Sequence, residues 1–372
     1  MSCRRIKICH VTSMHSPDDA RIFHKECCSL AKHYDVSLIA PNIDDYEMRG
    51  VKVYGVNLPS SRNSRYFKLS SVFEKAMSIN ADIYHFHDPE LLSLGLKIKK
   101  SGKHVIFDSH EDVPNQILTK EWIPRLIRKP LSKVYEIYEK YYLKHYDAIV
   151  SVTPILTERL KRINPNTYQV TNFPEYQEIK DDRKWGRKIC FTGGISEKYM
   201  HHNILKAIED VEVEYVLAGP CNPATYYEEL KKMKSWSKVD FRGFVKREEC
   251  VGIMQESTIG MAVLDYLPNV GYKKGTLGVL KIFEYMQAGI PIIATDFELW
   301  KEIIEGNGCG ICVNPHKIDS IKNAVNYLLS NPNIAIRMGN NGRELVKKEY
   351  TWKSQEVELY KMYENIICNN YD

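Results

Sequence analysis

No apolar run in this 372-residue sequence approaches the roughly 18 to 20 residues needed to span a bilayer, so no transmembrane helix is expected. The start, "MSCRRIKICHVTS", is charged but passes directly into a short strand-like run, with no long apolar region and no cleavage site. A cytoplasmic protein is the expectation. Low-complexity tracts are missing too, and 44% hydrophobic with 27% charged residues is the composition of a folded chain rather than a disordered one. Metal-ligand spacing is absent: no two histidines stand at helical i, i+4 spacing, and the ten cysteines are scattered. The one close pair, Cys309 and Cys312 in "CGIC", has no second pair to complete a zinc site. It leads into a strand rather than opening a helix, which disfavours a redox role. Cys9, Cys27, Cys190 and Cys312 fall inside apparent strands or helices and read as small buried hydrophobes in a reducing compartment.

What is present is an alternation of strand and helix patterns. The length fits two domains of about 150 to 200 residues each. In the first half "IKICHVTS", "DVSLIAP", "VKVYGV", "DIYHFHD", "HVIFDSH" and "DAIVSVT" are nearly continuous apolar runs rich in β-branched residues, the mark of strands buried on both faces of a parallel sheet. Helical patterns separate most of them. In "ARIFHKECCSLAKH", Ile22, Phe23, Cys27 and Leu30 form the buried stripe, which places Arg21, His24, Lys25 and Cys28 nearer the outside. The polar stretch "TNFPEYQEIKDDRKWGRK" breaks the pattern and is the best linker. Afterwards "KICFTGG", "EYVLAGP", "VDFRGF", "TIGMAVLD", "PIIATD" and "GICVNP" restart it. The expected architecture is α/β, two doubly wound Rossmann-like domains over 1–175 and 176–350 facing across a cleft. An amphipathic helix from about Trp352 to Cys368, within 351–372, is free to pack back on the first domain. Ligands in such sheets bind beyond the carboxyl ends of the strands.

The net charge of +5 is modest and does not by itself suggest a nucleic-acid partner. Its distribution is uneven: between Lys120 and Tyr146, seven lysines and arginines face three glutamates, with Trp122 and five tyrosines interleaved. An amphipathic helix of that kind suits an anionic bilayer interface, or a scaffold helix with a solvated basic face.

The polar and glycine-rich residues at strand ends carry the chemistry. His110, in "DSHEDVP", is a single polar group at a strand tip that either donates a hydrogen bond to a substrate or caps the next turn. Gly193 and Gly194 in "FTGGISE" let backbone approach a ligand, and a helix start after them would offer free N–H groups to phosphate, with Lys198 nearby. A tight turn also wants glycines. The loop "YLPNVGYKKGTLGVL" repeats the device with Gly271, Gly275 and Gly278. The helix that follows buries Val279, Ile282, Phe283 and Met286, closes on Gly289, and projects Lys281 and Glu284 together on its far side. These cations and amides suit a diphosphate, and Glu284 suits two ribose hydroxyls.

Together, "KIFEYMQAGIPIIATD", "GGISE", "HVTSMHSPDDARIFHKECCSLAKHYDVSLIAP" and "FDSHEDVP" resemble the retaining, nucleotide-sugar-dependent glycosyltransferases of family 4, of the GT-B fold. The nearest likeness is to bacterial enzymes that build capsule, O-antigen or exopolysaccharide. The resemblance implies that Glu284 binds the ribose, that Lys281 and Lys198 meet the diphosphate, and that His110 lies near the donor sugar and the reacting centre. It implies a catalytic set of His110, Lys198 and Glu284. The donor is held by Gly193, Gly194, Lys198, Gly275, Thr276, Leu277, Gly278, Lys281 and Glu284. Asp18, Arg21, Asp88 and Glu111 are the residues expected on the acceptor side. No metal and no cofactor are implied; the donor is a nucleoside-diphosphate sugar, UDP-sugar first, and the acceptor a glycan or lipid-diphosphate-linked glycan. Three departures stand out. Thr276 replaces the usual glutamate eight positions before Glu284, so the sugar contact is expected through amides of residues 275 to 278. Gly194 replaces an arginine, and "HSPDDAR" replaces a glycine pair. A nucleotide-sugar 2-epimerase of the same architecture and a non-catalytic sugar-binding protein are the rival readings.

Overall fold

The computed structural model describes residues 4–59, 69–120, 122–178 and 185–368. The chain divides into two compact units, the first comprising 1–172 and 352–372, the second 173–351. In the linker predicted over 171–188, residues 179–184 lie outside the described residues.

In the first unit the strands are β1 (Lys7–Val11), β2 (Asp35–Pro41), β3 (Tyr46–Met48), β4 (Val51–Val56), β5 (Ile83–Phe86), β6 (His104–Ser109), β7 (Ala148–Ser151) and β8 (Thr167–Gln169). They form one sheet in the order β3-β4-β2-β1-β5-β6-β7-β8. All pairs are parallel except the short β3 against β4. The predicted runs became the inner strands because both faces are covered. One face packs Cys9, Val11, Tyr84, Phe86 and Phe107; the other packs Ile8, Phe23, Leu38, Ile106 and Val150. The sequence reading missed β3 and β8, which are three-residue strands at the sheet edges. Helix α1 (Arg125–Leu143) lies between β6 and β7 in the chain.

The second sheet runs β11-β10-β9-β12-β13-β14 and is parallel throughout. Its strands are β9 (Lys188–Thr192), β10 (Glu214–Ala218), β11 (Val239–Gly243), β12 (Ile259–Ala262), β13 (Ile292–Thr295) and β14 (Gly310–Val313). Helix α2 (His201–Ala207) follows β9, and α3 (Lys281–Ala288) precedes β13. Gly289 ends α3 with φ 70°, as a left-handed C-cap requires.

The last helix, α4 (Trp352–Cys368), belongs to the first unit: Trp352, Leu359, Met362, Tyr363 and Ile366 enter the core around Ile8 and Phe23. Trp352 Nε1 donates to Ser29 Oγ at 2.9 Å and Tyr360 Oη to the Ser29 carbonyl at 2.9 Å. The strand order reverses direction between β1 and β5 in one sheet and between β9 and β12 in the other. In doubly wound sheets ligands bind beyond the carboxyl ends of the strands at such a switch point.

Candidate functional site

In the second unit β9 runs into Gly193, with φ 131°, whose N–H donates to the Ala218 carbonyl at 2.8 Å. Across from it Gly219 has φ 143°, and a Cβ there would collide with the Gly193 carbonyl. Two glycines thus let the ends of β9 and β10 close together. A Cβ on Gly193 would also stand 3.2 Å from Lys281 Nζ.

Lys281 does not project to the surface beside Glu284. Its side chain turns into the unit, and its ammonium lies 4.7 Å from the Phe191 ring centroid and 4.3 Å from that of Tyr199. Among the described residues no ion pair joins it to Glu284 or to any carboxylate. Burial lowers its pKa to about 8, with the Glu284 charge working in the opposite sense. Helical projection misplaced it because a long stem at the first position of α3 can reach back over the preceding turn. Lys198, exposed, lies 5.1 Å from the same Tyr199 ring. The ring thereby gathers both cations predicted for the diphosphate. Tyr199 and Phe191 are candidate site residues that the sequence reading missed; the aromatic one residue after Lys198 was the available signal.

Glu284, in the first turn of α3, is half-buried, and its carboxylate has no hydrogen-bond or ion-pair partner among the described residues. In the loop before α3, Gly271 and Gly275 take φ 74° and 84°. Thr276 is buried: its hydroxyl accepts from the Gly278 N–H at 3.0 Å and its carbonyl from Trp300 Nε1 at 2.7 Å. The expected amide cradle over 275 to 278 is therefore narrower, because Gly278 N–H is already engaged. The amides of Gly275, Thr276 and Leu277 carry no hydrogen bond among the described residues. The helix start expected directly behind Gly194 also differs. A 3-10 turn, Glu197–Tyr199, intervenes, Met200 is left-handed, and α2 begins with the buried His201. Among the described residues, no helix begins directly behind the two glycines.

In the first unit the loops after β1, β5 and β6 are stitched together by buried polar groups. Asp88 accepts from Thr12 Oγ1 at 2.7 Å and from the Ser13 N–H at 2.6 Å. Ser13 Oγ donates to Glu90 at 2.9 Å. His15 bridges Asp19 and Asp88 at 3.4 and 3.5 Å; its bond to Asp19 raises its pKa, although burial opposes the shift. His110 Nε2 stands 3.1 Å from Asp108 and 3.1 Å from His87 Nδ1. His10, His85 and His87 are buried behind it, and burial lowers all three, His87 to about 4, so they are neutral at physiological pH. Two groups here have the composition of metal ligands, His10 with Glu26, His85 and His87, and His87 with Asp108 and His110. No cysteine takes part in either.

Arg21 corrects the periodicity. It was expected outside and on the acceptor side, yet it is 4% exposed. Its guanidinium bonds Asp108 through Nε and Nη2 at 2.9 and 3.1 Å, the Val170 carbonyl at 2.9 Å, and Glu26 at 3.0 Å. Lys25 is likewise buried, donating to Asn172 Oδ1 at 2.5 Å. The reason is local: Ile22–Cys27 is a π-helical turn, with Glu26 N–H bonded to the Arg21 carbonyl, and its wider pitch rotates residues off the 100° spacing. Asp88, 2% exposed, is similarly occupied, while Asp18 and Glu111 are exposed.

Two α/β units, each built on a doubly wound sheet with a switch point in its strand order, define the GT-B fold. Residues 20–170 match the family model described as Glycosyltransferase Family 4, and residues 172–345 the one described as Glycosyl transferases group 1. An uncharacterised glycosyltransferase of Methanocaldococcus jannaschii is 23% identical over 90% of this chain and 91% of its own length. The fold is shared with sucrose-phosphate synthase of Thermosynechococcus elongatus (TM-score 0.78, 14% identity, 98% of this chain and 100% of that one). It is also shared with HepE of Anabaena in complex with UDP and glucose (TM-score 0.70, 12% identity, 97% and 100%). The chain is an enzyme, a glycosyltransferase of the GT-B fold, related to several transferases that use nucleoside-diphosphate sugars.

Proposed function

We propose that the protein transfers a sugar, with retention at the anomeric carbon, from a UDP-sugar to a hydroxyl of a glycan or lipid-diphosphate-linked acceptor in cell-surface polysaccharide synthesis. The observation that carries this reading is the pair of ammonium groups, Lys281 and Lys198, seated on one ring, Tyr199, beside the Gly193 turn. The unpartnered carboxylate of Glu284 lies within the same helical turn as Lys281. Glu284 accepts the two ribose hydroxyl hydrogens. Lys281 and Lys198 meet the diphosphate, and the open amides of Gly275, Thr276 and Leu277 receive the remaining polar groups of the donor. Charge developing on the departing diphosphate dominates the barrier, so fixed cations aimed at it are the main catalytic device. His110 acts beside the donor sugar, Asp18 and Glu111 on the acceptor side. In a front-face reaction the leaving phosphate itself accepts the acceptor's proton, so no carboxylate base is assigned.

Acceptor access is proposed to run along the membrane. On α1, Leu126, Ile127, Leu131, Val134, Ile137 and Tyr141 are exposed, Leu126 by 91%. They fill one contiguous sector, with Arg125, Lys129, Lys133, Lys140 and Lys144 in the adjoining one. Apolar and cationic sectors side by side suit the boundary of an anionic leaflet.

Incubating the chain with UDP-, GDP- and dTDP-sugars, with and without a lipid-diphosphate glycan, tests the reading. Acceptor-dependent release of nucleoside diphosphate with an α-linked product supports it. Inverted product, acceptor-independent epimerisation, or no turnover of any donor overturns it.

A further inference from the structure

The buried imidazoles of the first unit are connected end to end. Tyr363 Oη, on α4, lies 2.8 Å from His85 Nδ1 and 3.4 Å from His10 Nε2. His10 Nδ1 lies 2.9 Å from His87 Nε2, and His87 Nδ1 lies 3.1 Å from His110 Nε2. The chain therefore spans β1, β5 and the end of β6, and runs from the final helix to the partly exposed His110.

A neutral imidazole has one N–H and one acceptor nitrogen, so neighbours in such a chain must agree on the direction of donation. His110 Nε2 fixes it. That nitrogen stands equally close to the ionised Asp108 and to His87 Nδ1. If it lacked a proton, its lone pair would face a carboxylate. If His87 Nδ1 carried a proton as well, two N–H groups would oppose each other. Asp108 stands 3.1 Å from His110 Nε2 and 3.5 Å from His87 Nδ1, so one lone pair faces it in either arrangement, and the shorter contact places the proton on His110 Nε2, shared with a bare His87 Nδ1. His87 Nε2–H then donates to His10 Nδ1, His10 Nε2–H to Tyr363 Oη, and Tyr363 O–H to His85 Nδ1. The arrangement leaves His85 Nε2–H without a hydrogen-bond partner among the described residues, and the charged or titratable groups that face the chain are Asp108, Arg21 and Glu26, the last 3.9 Å from His10 Nδ1. Arg21 holds Asp108 ionised, while burial and the Asp108 charge favour the protonated form of Glu26 despite Arg21.

We infer that Tyr363, on the final helix, is a positioning residue for His110, its hydroxyl setting through His10 and His87 which nitrogen of His110 carries the proton. Its removal leaves His10 Nε2–H buried without an acceptor. The relief is to move that proton to Nδ1, which reverses donation at His87 and sets His87 Nδ1–H against His110 Nε2–H. The inference explains why a C-terminal segment places a tyrosine hydroxyl among three histidines. It rests on the proposed role of His110 only for its catalytic consequence. The rings are stacked (interplanar angles 16° between His10 and His87, 22° between His85 and His87), and the nitrogens of His10 and His87 are paired with one another. That is the arrangement of a hydrogen-bonded chain rather than of rings radiating from a metal.

The test is ¹H–¹⁵N correlation of histidine side chains in the full ¹⁵N-histidine-labelled chain, comparing wild type, Tyr363→Phe and the control Tyr360→Phe. His110→Gln assigns the His110 signal. In wild type and Tyr360→Phe, His110 is expected as the Nε2–H tautomer. In Tyr363→Phe its tautomer ratio or titration midpoint shifts while the melting curve stays cooperative. An unchanged His110 signal in Tyr363→Phe overturns the inference, as does one equivalent of tightly bound metal whose chelation rearranges the same signals. Turnover separates it from the function proposed above. A kcat lower by roughly 10- to 100-fold at constant donor KM in Tyr363→Phe supports both. A shifted His110 signal with unchanged kcat in Tyr363→Phe and His110→Gln retains the positioning and overturns the catalytic assignment.

Discussion

The ammonium of Lys281 lies 4.3 Å from the ring centroid of Tyr199, and this contact rather than a surface pair with Glu284 decides what the α3 helix presents. The cation lies against aromatic faces and pairs with no carboxylate among the described residues. UDP binding is expected to weaken by about 10- to 100-fold in Lys281→Met, the loss of one charge-assisted bond of about 1.5 to 3 kcal/mol. Calorimetric titration with UDP measures it; Lys281→Met binding UDP as wild type does would contradict the assignment.

That same lysine, with a pKa of about 8 when the site is free, ties donor binding to pH. A bound diphosphate stabilises the ammonium, so the lysine takes up a proton on binding above pH 8. Affinity for UDP should be flat below about pH 7.5 and fall as pH rises through 8 to 9. Titrations in buffers of different ionisation enthalpy read the proton uptake directly.

Glu284 has nothing to lose structurally, since its carboxylate has no partner among the described residues. Glu284→Ala should raise the donor KM strongly, while the melting temperature is unchanged. A lowered melting temperature with unchanged KM would reassign Glu284 to structure.

Arg21→Met tests the opposite kind of residue. It strands the buried Asp108, whose ionised form depends on the guanidinium, and breaking such a pair costs about 3 to 5 kcal/mol. Urea denaturation should show that loss in the first unit. Arg21 is buried and engaged with Asp108, Val170 and Glu26, so a folded Arg21→Met with impaired acceptor KM alone would restore its expected role.

Acid should destabilise the first unit earlier than its carboxylates would suggest. His10, His85 and His87 are neutral when folded, but take up protons near pH 6.5 when unfolded. Stability therefore falls as pH drops below 6.5, by about 1.4 kcal/mol per pH unit for each histidine, until the folded group protonates, for His87 at about 4. Glu26 and Glu139, raised in the fold by burial, work in the opposite sense over the same range: two groups against three. Melting temperatures between pH 7 and 4.5 should drop, and His87→Gln should flatten the curve.

For the exposed stripe, Leu126→Glu with Ile137→Glu should abolish binding to anionic liposomes and leave the melting temperature intact, because neither side chain is buried. Cosedimentation with and without anionic lipid reads this out.

The sequence by itself determined twelve of the strands, since runs of β-branched residues between turn signals have few other solutions. It also determined the position of the glycines, because a left-handed cap at Gly289 and the close approach at Gly193 and Gly219 exclude a side chain. It marked His110, Lys198 and Glu284 as polar groups at strand or helix ends. Only the tertiary structure decided where Arg21 and Lys281 point, because a π-turn and an aromatic seat override a 100° projection. It alone joined His10 to His87, 77 positions away, and to Tyr363, 353 positions away. Local periodicity reports which side of an element is wet. Which buried polar groups meet is set by strand order and by the return of the last helix, and neither leaves a mark in any short stretch of sequence.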